Sequence, residues 1–149
     1  MGRPTGVKDV DQAEIVNHIV HFLKKSGKVK VPEWADLIKL GITKEVYPVN
    51  PDWYYIRTAS LARRLYIRSP TGVGEFRNVH GGQHRRGVRH SGDSLPALSS
   101  IRPSRLLRLS NRLHPDNKGR ILAKQGSKDL DRIAGELRQQ TKPSEFKLL

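Results

Sequence analysis

From Pro51 to about Arg68 the chain reads PDWYYIRTASLARRLYIR, apolar around most of a helical circumference. The start is signalled twice, by Asn50 as a helix cap and by Pro51 at the first helical position, with Asp52 adding an acid to the first turn. Tyr55, Ala59, Ala62 and Tyr66 form one stripe, and Thr58, Leu61 and Leu65 lie beside it. A helix with so little wet surface has to be surrounded by the rest of its domain. Its one polar line, at about 100° per residue, holds Arg57, Arg64 and Arg68, with Ser60 and Trp53 alongside. No acid stands four residues from any of the three arginines. The spacing therefore predicts a face turned outward to phosphate, not an internal salt-bridge ladder.

The charge of the whole chain points the same way. It carries 28 Lys+Arg against 14 Asp+Glu in 149 residues, a formal net charge of +14. The excess is concentrated: residues 53–114 hold 12 basic and 2 acidic side chains, whereas residues 1–52 hold 8 and 7. A nearly neutral end followed by a basic middle is the pattern of a folded body with one phosphate-facing surface. The length excludes a large barrel or a two-domain dinucleotide enzyme. With no cysteine, disulfide scaffolds, thiol catalysis and cysteine-ligated zinc are excluded as well. No apolar run approaches a membrane span and the opening residues lack the apolar core of a secretory signal, so the expectation is a soluble, intracellular protein.

Other elements can be placed around the central helix. Asp11 and Glu14 have capping-box spacing, and Val10 and Ile15 fall where a hydrophobic staple needs them. Ile15, Val16, Ile19, Val20, Phe22 and Leu23 then recur at helical period, and Lys24 and Lys25 lead to a stop at Gly27. After the alternating run of residues 28–31, Pro32 and Glu33 predict a second, short helix to about Leu40, closed by Gly41, with Trp34 as a core anchor. Phe76–His80, Gly81–Gly82 and Gln83–Arg86 read as a hairpin about a glycine turn, carrying Arg77, His80, Gln83, Arg85 and Arg86. Ile101, Leu106, Leu107, Leu109 and Leu113 suggest an amphipathic helix from about Ser104, with Arg102, Arg105, Arg108 and Arg112 outward. Residues 116–119 form a turn, Arg120–Leu122 a strand that ends by Gly126, and residues 127–140 a last helix with Leu130, Ile133, Ala134 and Leu137 inward. The division expected is one domain over residues 1–140 and a flexible tail over 141–149.

Catalytic readings fail on geometry. His80, His84 and His90 lie in glycine-rich chain with only Glu75 and Asp93 near them, too little frame for a metal or for a histidine acid–base pair. Gly72-Val73-Gly74 is followed by no Lys-Ser/Thr and is not a phosphate loop. The expectation is a protein with no enzymatic activity, no cofactor, no metal and no small-molecule substrate.

Several segments match a known family. The run FLKKSGKVKVPEW from Phe22 to Trp34 resembles the eukaryotic and archaeal (e-type) small-subunit ribosomal protein nineteen family, which is distinct from the bacterial protein of the same number. PDWYYIRTAS from Pro51, Gly72-Val73-Gly74, His80-Gly81-Gly82, Arg85-Arg86-Gly87 and DLDRIA from Asp129 follow in the family's order. The resemblance implies a mainly α, winged-helix-like bundle around a central helix, with short β-hairpins. It implies binding to ribosomal RNA in the head of the small (40S) subunit and a requirement in maturing the small-subunit rRNA precursor. It also implies neighbouring small-subunit ribosomal proteins as partners, a cytoplasmic location on the ribosome and passage through the nucleolus. The family's central-helix positions correspond to Trp53, Arg57, Arg63 and Arg64, although Arg63 lies off the polar line drawn above. Between about Arg89 and Pro115 the family carries a continuous basic helix, whereas this chain has Pro96 and Pro103 there, so no contacts are transferred to that stretch.

The residues expected to face RNA are then Lys24, Lys25, Lys28, Trp53, Arg57, Arg63, Arg64, Arg68, Arg77, His80, Gln83, Arg85 and Arg86. The competing reading is a winged-helix DNA-binding regulator. It shares the fold class and the charge but needs an exposed recognition helix, for which the central helix is too apolar.

Overall fold

The computed structural model describes residues 5–27, 29–41, 44–94, 111–113 and 119–141. It is mainly helical. A 3-10 turn at Val7–Asp9 leads into α1 (Gln12–Ser26), a second 3-10 turn covers Glu33–Asp36, and α2 (Trp53–Ile67) and the short α3 (Val73–Val79) follow. β1 (Gly82–Arg86) and β2 (Arg89–Ser94) form one antiparallel pair, β3 (Asn111–Leu113) and β4 (Arg120–Leu122) another, and α4 (Lys124–Thr141) closes the described chain.

α1 is built as its sequence signals. The Asp11 carboxylate accepts hydrogen bonds from the backbone N–H of Ala13 and Glu14 at 3.0 and 2.8 Å, and Gly27 closes the helix in the left-handed region. Ile15, Ile19, Val20 and Leu23 are buried against α2 and α4. Asp11→Ala removes both cap bonds and should cost about 1 kcal/mol, read as a lower urea midpoint at unchanged slope. A loss under about 0.3 kcal/mol would mean that the cap is replaceable by water.

α2 runs through the middle, as its apolar circumference demands. Trp53, Tyr54, Thr58, Ala59, Leu61, Ala62 and Leu65 are all buried. Its first half belongs to one apolar cluster with α1 and α4, where Leu130, Ile133, Ala134 and Leu137 are buried as expected. Its second half makes another, with Leu61, Ala62 and Leu65 packed on Phe76 of α3. Leu122 of β4 touches both clusters. Polar ties cross the same seams: Tyr66 donates to Asp131 of α4 at 2.6 Å, and Arg138 of α4 donates to Thr5 at 3.1 Å.

Five expectations need correction. The helix start lies at Trp53, two residues late. Asn50 Oδ1 accepts from the Asp52 N–H at 2.9 Å, so Asn50 closes a turn over Pro51 and Asp52 and does not cap the helix. The second helix is a single 3-10 turn. A longer helix needs an apolar stripe to bury, and here Ala35 is buried and Trp34 packs on the core while Leu37 is 83% exposed.

Phe76–Val79 is helix, not strand, because Phe76 at 0% exposure is pulled under α2. The hairpin is therefore shifted. Its turn is Gly87–Val88, between the paired Arg86 and Arg89, and Gly87 at φ 66 supplies the positive dihedral that a two-residue hairpin turn requires. Arg112 and Leu113 lie on β3, which pairs with β4 (Arg112 opposite Ile121), so they are not helical: an isolated strand at 120–122 needs a partner. The remainder of that expected helix, and the tail beyond residue 141, fall outside the described residues. Finally, Gly126 sits inside α4, which starts three residues before the expected Ser127.

Candidate nucleic-acid interface

The basic surface is assembled by α2 and α3. Burying Phe76 docks α3 beside the second half of α2 and brings His80, which follows α3, near Arg57 and Arg64, with Arg77 three residues before it on α3. Arg57 and Arg64 act on His80 electrostatically, which places the three side chains in one cluster. Arg57 Nη1, Arg64 Nε, Arg77 Nε and His80 Nε2 are shut off from solvent with no hydrogen-bond partner among the described residues. Burial lowers the pKa of the Arg57 guanidinium. It also holds the His80 imidazole down to about 4, with the positive charges of Arg57 and Arg64 adding to the effect. His80 is thus neutral at pH 7. A cluster of donors that the fold leaves without acceptors is chemically suited to an oxyanion.

One acid does enter. Glu75 of α3 lies 3.5 Å from Arg64, an ion pair in which the arginine side chain is 26% and the glutamate 42% exposed. The helical wheel of α2 could not show it, because the partner comes from another element. The face is therefore a partly buried seam, not the open stripe expected. Arg68 at the end of α2 is exposed.

The other expected positions distribute unevenly. Trp53 is only 7% exposed and meets Tyr54 edge-on at 5.5 Å, so it is a core side chain and not part of a wet face. Tyr54, which the stripe analysis left out, is 1% exposed, and its burial pushes the phenol up to about 12. Two adjacent aromatic residues both turned inward are legible only once the residues of α1 and α4 join them in one apolar cluster. Arg63 donates through Nη1 to Gln12 Oε1 at 2.5 Å, which ties α2 to the start of α1, and its Nε is likewise closed off from solvent without a partner among the described residues.

Lys24 bridges to Asp52 at 2.5 Å and lies 5.8 Å over the Tyr55 ring. Lys25 is exposed and lines a cavity of about 540 Å³ between α1 and α4, with His18, His21, Phe22, Arg132 and Glu136. Gln83, Arg85 and Arg86 lie on β1, adjoining the α3 end of the cluster in sequence, and Lys28 falls outside the described residues. Among the described residues no group of three or more His, Asp or Glu side chains could hold a metal ion, and no helix is long and apolar enough to cross a membrane.

Comparison with known proteins places the chain among relatives. The profile of the family described as ribosomal protein S19e matches residues 6–140. Small ribosomal subunit protein eS19G of Ascaris suum is 57% identical over 146 residues, covering 93% of this chain and 96% of that protein. Small ribosomal subunit protein eS19 of Mya arenaria is 48% identical over 142 residues, covering 93% and 94%. Small ribosomal subunit protein eS19B of Schizosaccharomyces pombe is 42% identical over 133 residues, covering 88% and 93%.

Proposed function

Because this chain belongs to the ribosomal protein S19e family, we propose that it is a structural, RNA-binding component of the small ribosomal subunit. The observation that carries the reading is the seam between α2 and α3, where Arg57, Arg64, Arg77 and His80 present buried nitrogens without acceptors. Ribosomal RNA supplies phosphate oxygens at the spacing of a backbone and repays the desolvation of each guanidinium with charge-assisted hydrogen bonds. Arg68 and the β1–β2 hairpin extend this surface. Arg85 and Arg86 on the hairpin, Lys24, Lys25 and Arg63, and Lys28, which lies outside the described residues, add long-range attraction. Trp53 contributes by packing α2 in place.

The chain is non-enzymatic and takes no cofactor in this reading. Its helices and β-hairpins form a winged-helix-like domain over residues 1–140 in the head of the 40S subunit. It is needed for maturation of the small-subunit rRNA precursor, touches neighbouring small-subunit proteins, and works in the cytoplasm after assembly in the nucleolus. A sequence-reading DNA regulator is disfavoured because α2, the best-formed helix, is buried along most of its length and cannot enter a groove.

Two measurements test the proposal. A tagged copy of the full chain should co-sediment with small subunits on a sucrose gradient, and its depletion should accumulate unprocessed small-subunit rRNA. The purified protein should bind structured RNA with a log affinity that falls steeply with log salt, by a slope of about 0.7–0.9 for each phosphate neutralised. Absence from small subunits, or a nearly flat salt dependence, would overturn the reading.

A further inference from the structure

Among the described residues, His80 differs from His18 and His21, which line the cavity between α1 and α4. It follows the last turn of α3 with its Nε2 closed off from solvent and unpartnered. The charged groups around it, among the described residues, are Arg57 and Arg64 across the seam on α2, and Arg77 and Glu75 on its own helix. Glu75 is engaged by Arg64 at 3.5 Å. Burial and the positive charges of Arg57 and Arg64 keep the imidazole neutral at pH 7 in the free protein.

An anion entering the seam reverses that logic. A phosphate oxygen close to Arg57, Arg64 and the imidazole places opposite charge within the range where it favours the protonated ring. The ring nitrogen then donates to the phosphate as a cation instead of standing idle. We infer that Arg57, Arg64, Arg77 and His80 form a pocket for one RNA backbone phosphate, and that filling it takes up one proton from solvent at His80. The inference rests on the α2–α3 seam being the RNA interface. It makes the histidine the member of the cluster that is charged only when the ligand is present.

The sign of the pH dependence follows from this. Free His80 is neutral above pH 5 or so, and bound His80 is charged at higher pH, so affinity rises as pH falls through the bound value. One proton limits the rise to tenfold per pH unit. For the full-length protein and a structured RNA hairpin, affinity should rise about five- to tenfold from pH 8 to pH 6 at constant salt. His80→Gln keeps a hydrogen-bonding side chain that does not titrate. Whatever its affinity at pH 8, that affinity should change little toward pH 6, so that most of the wild-type rise is lost.

Nuclear magnetic resonance provides a readout independent of the variant: adding the hairpin RNA at pH 6 should shift the wild-type His80 ring signals from those of neutral imidazole to those of imidazolium. If His80→Gln retains the full pH dependence, or the ring stays neutral with RNA bound, the proton uptake is wrong while the interface stands. If the wild type does not bind the RNA, the pocket falls together with the interface reading.

Discussion

Gly119→Ala should cost the fold about 3–5 kcal/mol, a large share of the stability of a domain this size. Gly119 has φ 129, a backbone conformation that L side chains rarely adopt. A Cβ at that position would lie 2.7 Å from the carbonyl carbon of Thr71, 2.8 Å from its oxygen and 2.9 Å from the Gly72 nitrogen. All three atoms are backbone and cannot swing aside. They are also fixed, because Thr71 and Arg120 exchange two backbone hydrogen bonds at 3.0 Å, and Thr71 is 0% exposed. That bridge joins β4 to the chain between α2 and α3, and Leu122 of β4 touches both apolar clusters. Relieving the clash therefore means breaking the bridge or shifting Leu122 from the core. Urea unfolding followed by far-ultraviolet circular dichroism measures the loss. A change under about 1 kcal/mol would show that the close approach at Thr71 is not maintained in solution.

The contrast between Gly119 and α1 shows what a sequence of this kind reveals. Asp11, the Ile15–Leu23 stripe and Gly27 are local signals, separated by three or four residues, and the helix they predict is the helix observed. The inward face of α4 was equally legible, since Leu130, Ile133, Ala134 and Leu137 repeat at helical spacing. Phe76 was misread for the opposite reason. The Gly81–Gly82 pair that follows it suggests a hairpin, and only the apolar surface offered by Leu61, Ala62 and Leu65 decides for helix. The second helix failed similarly, because nothing covers Leu37.

The site divides along the same line. Arg57 and Arg64 could be chosen by helical angle alone, but the partners that define their chemistry, Glu75 and His80, arrive with α3. Trp53 sits beside the arginines on the wheel and yet is buried, because α1 and α4 close over that end of α2.

Arg57→Met should separate folding from binding most sharply. Burial lowers the guanidinium's pKa and its Nη1 has no partner among the described residues, so the charge works against the folded state. Methionine keeps most of the aliphatic stem, fills the same space and carries no charge. The melting temperature should therefore stay level or rise, where an ordinary substitution on a central helix lowers it. RNA affinity should move the other way. A charge-assisted bond to phosphate contributes about 1.5–3 kcal/mol, so a roughly ten- to hundredfold loss is expected at low salt, together with a shallower salt slope. Arg63→Met provides the control. Arg63 donates to Gln12 and holds α2 to the start of α1, so its loss should lower the melting temperature with a smaller change in affinity. If Arg57→Met binds RNA like wild type, the seam is not where the phosphate sits. If it also melts well below wild type, Arg57 is part of the framework. The uncompensated charge at the centre of the domain would then belong to the fold and not to its ligand.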